Sequence, residues 1–179
     1  MRLFTAVALP QAVKEQLSLL CCGLPGARWE QTEQLHLTLR FIGEADGAMR
    51  REIGEALAAV RCQPFSLELK GVGFFPPRQE PQVLWAGLEK SEPLLHLHRQ
   101  IENALKRVGV EPEGRKYSPH VTLARLRGTP SSKIGGWLVQ HSLLVTPPFP
   151  VSSFRLYRSV LAPDGAKHFV EAEYPLAAA

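Results

Sequence analysis

Cysteine, long apolar runs and low-complexity tracts are what this chain has least of. Its 179 residues include three cysteines, with Cys21 and Cys22 adjacent and Cys62 alone. That excludes a disulfide framework, and there is neither a CxxC nor a zinc-finger spacing. The thiols read as small core hydrophobes, and a reducing cytoplasm is the expected location. No apolar run approaches the ~18–20 residues that a helical membrane span requires. The opening Leu3–Leu9 is apolar over about seven residues, short for a secretory segment, and reads as a first strand ended by Pro10. Excess charge is sparse as well, at net +4. Residues 1–90 carry 10 Lys/Arg and 10 Asp/Glu, whereas residues 91–179 carry 11 and 7. Such a field is too weak for a histone-like DNA binder but suits an anionic ligand.

What is present is a chain able to bury a core, 45% apolar and 21% charged, which excludes disorder as its main state. Its length allows one large domain or two small lobes. Strands are expected at Arg2–Leu9, Glu33–Ile42, Phe65–Leu69, Val83–Leu88, Ser118–Ala124, Phe154–Leu161 and Lys167–Glu173, from alternating apolar positions. Apolar residues at helical spacing predict helices from Gln11 to about Cys21, at Ala48–Val60, at Pro93–Val108 and at Ser131–Leu144. The stretch 71–81, rich in Pro and Gly, reads as irregular. The mixed order fits α+β better than a regular βαβ chain.

Within this order one pattern occurs twice. His36-Leu37-Thr38-Leu39 and His120-Val121-Thr122-Leu123 are both His-apolar-Thr-Leu, 84 residues apart. On a strand, residues two apart share a face, so each His stands beside its Thr while Leu37/Leu39 and Val121/Leu123 face a core. Two such strands across a cleft supply two imidazoles and two hydroxyls. Imidazole titrates near physiological pH, so one ring can serve as acid and the other as base in phosphodiester chemistry without a metal. The hydroxyls would hold non-bridging phosphate oxygens.

The paired motifs resemble those of the 2H phosphoesterase superfamily, and within it the RNA 2',3'-cyclic phosphodiesterases, also called 2'-5' RNA ligases. The resemblance extends over Met1–Ala6, His36–Glu44, Val83–Leu88, Tyr117–Arg125 and Leu156–Ser159, in order along nearly the whole chain. It implies one bilobal α+β domain over residues 1–179. Its two pseudo-symmetric lobes would each be an antiparallel sheet with flanking helices, closing on a central cleft with one motif apiece. It further implies that His36 is the proton donor to the departing 3'-oxygen and His120 the proton acceptor from water. Thr38, Thr122 and Arg125 would bind the phosphate, with no cofactor and no metal. The implied partner is RNA ending in a 2',3'-cyclic phosphate, tRNA fragments among them, or a small cyclic nucleotide. The protein is expected to be monomeric, cytoplasmic and not membrane-bound. The same site run in reverse would join RNA ends by a 2'-5' linkage, and a third alternative is an RNA- or nucleotide-binding module without turnover.

Parity raises a question about Arg125. Its offset from His120 is odd, so it reaches the cleft only if the strand ends or bulges at Ala124-Arg125. Arg40 has the even offset from His36, so its choices are the cleft or a solvated sheet edge. His96 and His98 are read as helix-surface residues, because residues two apart on a helix diverge. His141 and His168 receive no role. Phe41, Trp85 and Tyr157 are core residues or platforms for a base. Arg107, Arg115, Lys116, Arg125 and Arg127 form a basic cluster around the second motif, diluted by Glu111 and Glu113, that is either a lip guiding an RNA end or a solvated charged face.

Overall fold

The computed structural model describes residues 1–75 and 82–177. It contains strands β1 (Arg2–Ala8), β2 (Ala27–Trp29), β3 (His36–Glu44), β4 (Phe65–Leu67), β5 (Leu69–Phe74), β6 (Gln82–Leu88), β7 (Val121–Leu126), β8 (Phe149–Val151), β9 (Ser153–Ala162) and β10 (Gly165–Pro175). Helices α1 (Gln11–Ser18), α2 (Gly47–Ala58), α3 (Glu92–Arg107) and α4 (Ser131–Gln140) complete it, with a 3-10 turn at Thr32–Gln34. The fold is α+β and its recorded strand pairs are antiparallel. No helix among the described residues is long and apolar enough to cross a membrane.

The main sheet has the order β10-β9-β1-β3-β7-β6-β5, with β2 added on β7. Its two halves meet at a single pair, Leu37 with Val121, both wholly buried. On either side of that pair β3 and β7 diverge, an arrangement compatible with two lobes. Continuing the antiparallel register by one residue each way sets His36 opposite Thr122 and Thr38 opposite His120. The local two-fold of this strand pair therefore passes between Leu37 and Val121.

One face of the sheet carries the core. Leu3, Val7, Leu37, Leu39, Leu84, Val121 and Leu123 lie in a continuous apolar cluster with Ile53 and Leu57 of α2 and Leu94, Leu97 and Ile101 of α3. At ~25 cal/mol per Å² of apolar surface removed from water, this layer is the main stabilising term. The opposite face buries a separate small cluster of Phe4, Ala6 and Tyr157, with the Phe4 and Tyr157 rings stacked at 5.1 Å and 8°.

The expected elements are present, several with shifted ends: Glu33 and Gln34 lie in the 3-10 turn, α4 stops at Gln140 rather than Leu144, and β7 starts at Val121 rather than Ser118. Three larger departures concern the strands. Phe65–Leu69 is not one strand: it breaks at Glu68, β4 pairing with β8 in a separate ribbon while β5 enters the main sheet. Residues 69–74, read largely as irregular, are strand, and Gly73 lets the neighbouring strand pack closely there. A Cβ on Gly73 would clash with the Trp85 ring of the adjacent β6. The short strands β2 and β8 escape a reading by alternation, having three residues each. The rest of 71–81, residues 76–81, lies outside the described residues.

Candidate active site

Both motif histidines stand at strand starts, His36 as the first residue of β3 and His120 just before β7. Both are held in the same way. His36 Nδ1 lies 2.6 Å from the Gln34 carbonyl, and His120 Nδ1 lies 2.7 Å from the Ser118 carbonyl. A carbonyl only accepts, so Nδ1 carries a hydrogen in each ring and Nε2 is the nitrogen that titrates. In each case the holding carbonyl belongs to the residue two before the histidine.

Each strand then contains a bulge at the same place. Ala6 pairs with Thr38 but Thr5 with Arg40, which leaves Leu39 as an extra residue. Trp85 pairs with Thr122 but Leu84 with Ala124, which leaves Leu123 extra. An added residue inverts the alternation beyond it. Leu39 and Arg40 are consequently both buried, as are Leu123 and Ala124. The next residues, Phe41 and Arg125, turn back to the Thr38 and Thr122 face.

The bulges decide the two arginines. Arg125 does reach the cleft, the bulge at Leu123 supplying the break in alternation that its odd offset requires. Arg40 is neither in the cleft nor at a solvated edge: only 6% exposed, it lies on the helix side and ion-pairs with Glu102 of α3. It also donates to the carbonyls of Phe41 and Glu111. The even offset fails as a guide because it assumes an unbroken strand.

On the cleft side a cavity of about 560 Å³ is lined by His36, Thr38, Thr122 and Arg125, together with Phe41 and His168. Arg28 and Glu30 from the β2 segment also line it. The Glu30 amide donates to the Leu123 carbonyl at 2.8 Å, closing the backbone at the bulge. His120 does not line this cavity among the described residues. Its ring meets Phe75 edge-on at 4.8 Å, with Trp85 at 6.4 Å. Its place beside Thr38 follows from the Leu37–Val121 pair.

Charge in the site is set by burial. Desolvation pushes His36 from 6.5 down to about 4, with the Gln34 carbonyl opposing and His168, Lys14 and His120 adding to the fall. The ring lies among aromatic neighbours, 5.1 Å from Phe4 and 6.1 Å from Tyr157. Burial also lowers His120, where the Ser118 carbonyl opposes and the Arg125 charge assists. Burial raises the Glu30 carboxyl against the pull of Arg125 and Arg28. Without an anion in the cleft, both motif rings favour the neutral form. Among the described residues no group of three His, Cys, Asp or Glu side chains is arranged to hold a metal ion.

Two further residues join this site that the sequence reading left without a role. His168 lines the cavity from β10 and meets His36 edge-on at 5.2 Å and 88°. Tyr117 donates its hydroxyl to the Thr38 carbonyl at 3.0 Å, tying the approach to the second motif onto the first. Its ring stacks on His98 at 4.0 Å and 3°, which gives that α3 histidine a packing role. Neither contact has a local sequence signal. Trp85 is the half-buried neighbour of His120, and Tyr157 is buried beneath His36.

The chain is similar to known proteins in both sequence and fold. An RNA 2',3'-cyclic phosphodiesterase of Aeropyrum pernix is 36% identical over 137 residues, covering 75% of this chain and 78% of that protein. A Thermotoga maritima protein of the same name is 35% identical over 173 residues, covering 92% and 90%. Among solved structures, a Thermus thermophilus protein superposes with a TM-score of 0.84 at 28% identity, covering 98% of both chains. Residues 26–161 match the sequence pattern of the 2'-5' RNA ligase superfamily, and with these relatives the chain belongs to that family.

Proposed function

We propose that this protein hydrolyses RNA 2',3'-cyclic phosphate ends to 2'-phosphomonoesters by acid–base catalysis from His36 and His120. The relatives named RNA 2',3'-cyclic phosphodiesterase support the reaction class. The observation that carries the mechanism is the two-fold match of the histidines, each with Nδ1 on the carbonyl two residues back and Nε2 left to exchange a proton.

In this reading the cyclic phosphate sits over the Leu37–Val121 axis. Thr38 and Thr122 donate to its non-bridging oxygens, and Arg125 neutralises the charge that grows there. His120, neutral in the free enzyme, takes a proton from water as the water oxygen bonds to phosphorus. His36 gives its proton to the 3'-oxygen as the P–O3' bond breaks, leaving a free 3'-hydroxyl and a 2'-phosphate. The phosphodiester anion itself loads the acid. It sets a negative charge beside a ring that burial keeps neutral, and an opposite charge within a few ångströms favours the protonated form.

Cyclic-phosphate-ended RNA and 2',3'-cyclic nucleotides are the substrates to test, with the 2'-phosphate product identified by chromatography. His36→Ala and His120→Ala each remove most turnover if the roles are right. A chain that binds such ends but releases no product would be a binding module instead.

A further inference from the structure

We propose that His168 is a substrate-contacting residue of this cleft, its imidazole donating a hydrogen bond from Nε2 to a phosphate oxygen beside His36. The inference rests on the cleft being the phosphate site and adds a third ring to it.

The β9–β10 hairpin carries His168 over the first motif. The ring meets Phe4 edge-on at 4.8 Å and 77°, and His36 at 5.2 Å. Its backbone is fixed by the residue that also fixes His36. Gln34 accepts the His168 amide on its side-chain Oε1 at 3.0 Å, and the His36 ring on its main-chain oxygen. The position of His168 relative to His36 is thus set by one residue rather than by loose packing.

What distinguishes His168 is its ring. The two motif histidines give Nδ1 to carbonyls, whereas Nδ1 of His168 is shut off from solvent and has no hydrogen-bond partner among the described residues. Buried polar atoms are nearly always paired, so an unpaired one calls for an explanation. Proton placement supplies it. A neutral ring with its hydrogen on Nε2 buries only a lone pair at Nδ1 and leaves Nε2 as the nitrogen able to meet a ligand. Arg125, on the same cavity, supplies the other donor, so an oxyanion held between them is bound from both lobes.

The facing charged and titratable groups agree with an anion at this point. Arg2, Arg28, His36, Arg125 and Lys167 line the cavity with His168, against Glu30 and Asp164. The hairpin also comes close to β2 across the cavity, since a Cβ at Gly165 would lie 2.8 Å from the Arg28 guanidinium.

The test is inorganic phosphate binding by calorimetry on the full-length protein, which needs no turnover. His168→Phe keeps an aromatic ring on Phe4 and removes the donor; about tenfold weaker phosphate binding is expected, the usual effect of one hydrogen bond to a charged group. His168→Gln restores a donor and should recover most of that loss. His96→Gln, on α3 outside the cleft, is the control expected to bind as wild type. Unchanged binding by folded His168→Phe, or equal losses in Phe and Gln variants, would overturn the proposal. Hydrolysis of 2',3'-cyclic AMP by wild type is measured beside it. If the wild type binds phosphate through His168 but hydrolyses nothing, the reaction assignment fails and this one stands.

Discussion

Phe41 and Arg125 occupy equivalent positions: each is the fifth residue after a motif histidine, and each is returned to the cleft face by a bulge two residues earlier. The two halves of the sheet therefore share a backbone device but differ in what it delivers. One half presents an exposed aromatic ring and the other a guanidinium.

From this follows the first prediction. Arg125→Ala should lower kcat/KM by ~10²–10³, the usual cost of removing a donor aimed at developing charge. Arg125→Lys should recover part of it, as a point charge without the planar fork. Steady-state kinetics on a cyclic nucleotide measures both.

Arg40 should behave oppositely. It is 6% exposed and its partner Glu102 21% exposed, so Arg40→Ala strands a largely buried carboxylate. A loss of about 2 kcal/mol is expected, discounted from a fully buried pair because Glu102 retains some water. Thermal denaturation should record a fall of ~4–8 °C, with turnover per folded molecule close to wild type.

The lowered histidines fix a pH dependence. The unfolded chain takes up a proton at position 36 as pH falls through 6.5, whereas the folded ring resists protonation until about 4. Stability contributed by the neutral ring is present above 6.5 and is lost as pH falls from there toward 4. His120 and His168 shift in the same direction, also chiefly through burial. Tm should therefore decline between pH 7 and 4.5, and less steeply in His36→Gln. In kinetics, the acidic group should titrate higher in kcat than in kcat/KM, because the bound anion raises it only in the complex.

Gly73 tests the support behind the second motif. Its missing Cβ is what admits the Trp85 ring, the indole nearest His120. Gly73→Ala should cost ~1–3 kcal/mol by overpacking and should lower turnover through a displaced His120 neighbour. Circular dichroism melting and initial rates separate the two effects.

These residues also show what sequence could and could not reveal. The four motif positions were legible because a two-residue period and a repeated tetrapeptide carry their own geometry. The bulges were not: Leu39 and Leu123 look like ordinary alternating residues, yet each reverses the parity beyond it. Hence only resemblance assigns Arg125, and alternation points Arg40 to the surface although it is buried. His168 and Tyr117 act through contacts 132 and 79 residues distant along the chain, to His36 and to Thr38. No local pattern encodes such a pairing. Gly73 of β5 reads as part of a loop because the feature that makes it useful, the Trp85 ring, lies on another strand.

The most direct test of the central claim is product analysis after incubating wild type, His36→Ala and His120→Ala with an oligonucleotide ending in a 2',3'-cyclic phosphate. Wild type should yield the 2'-phosphate, and each folded variant should lose most of that activity. A 3'-phosphate product, or unchanged hydrolysis by either variant, would contradict it.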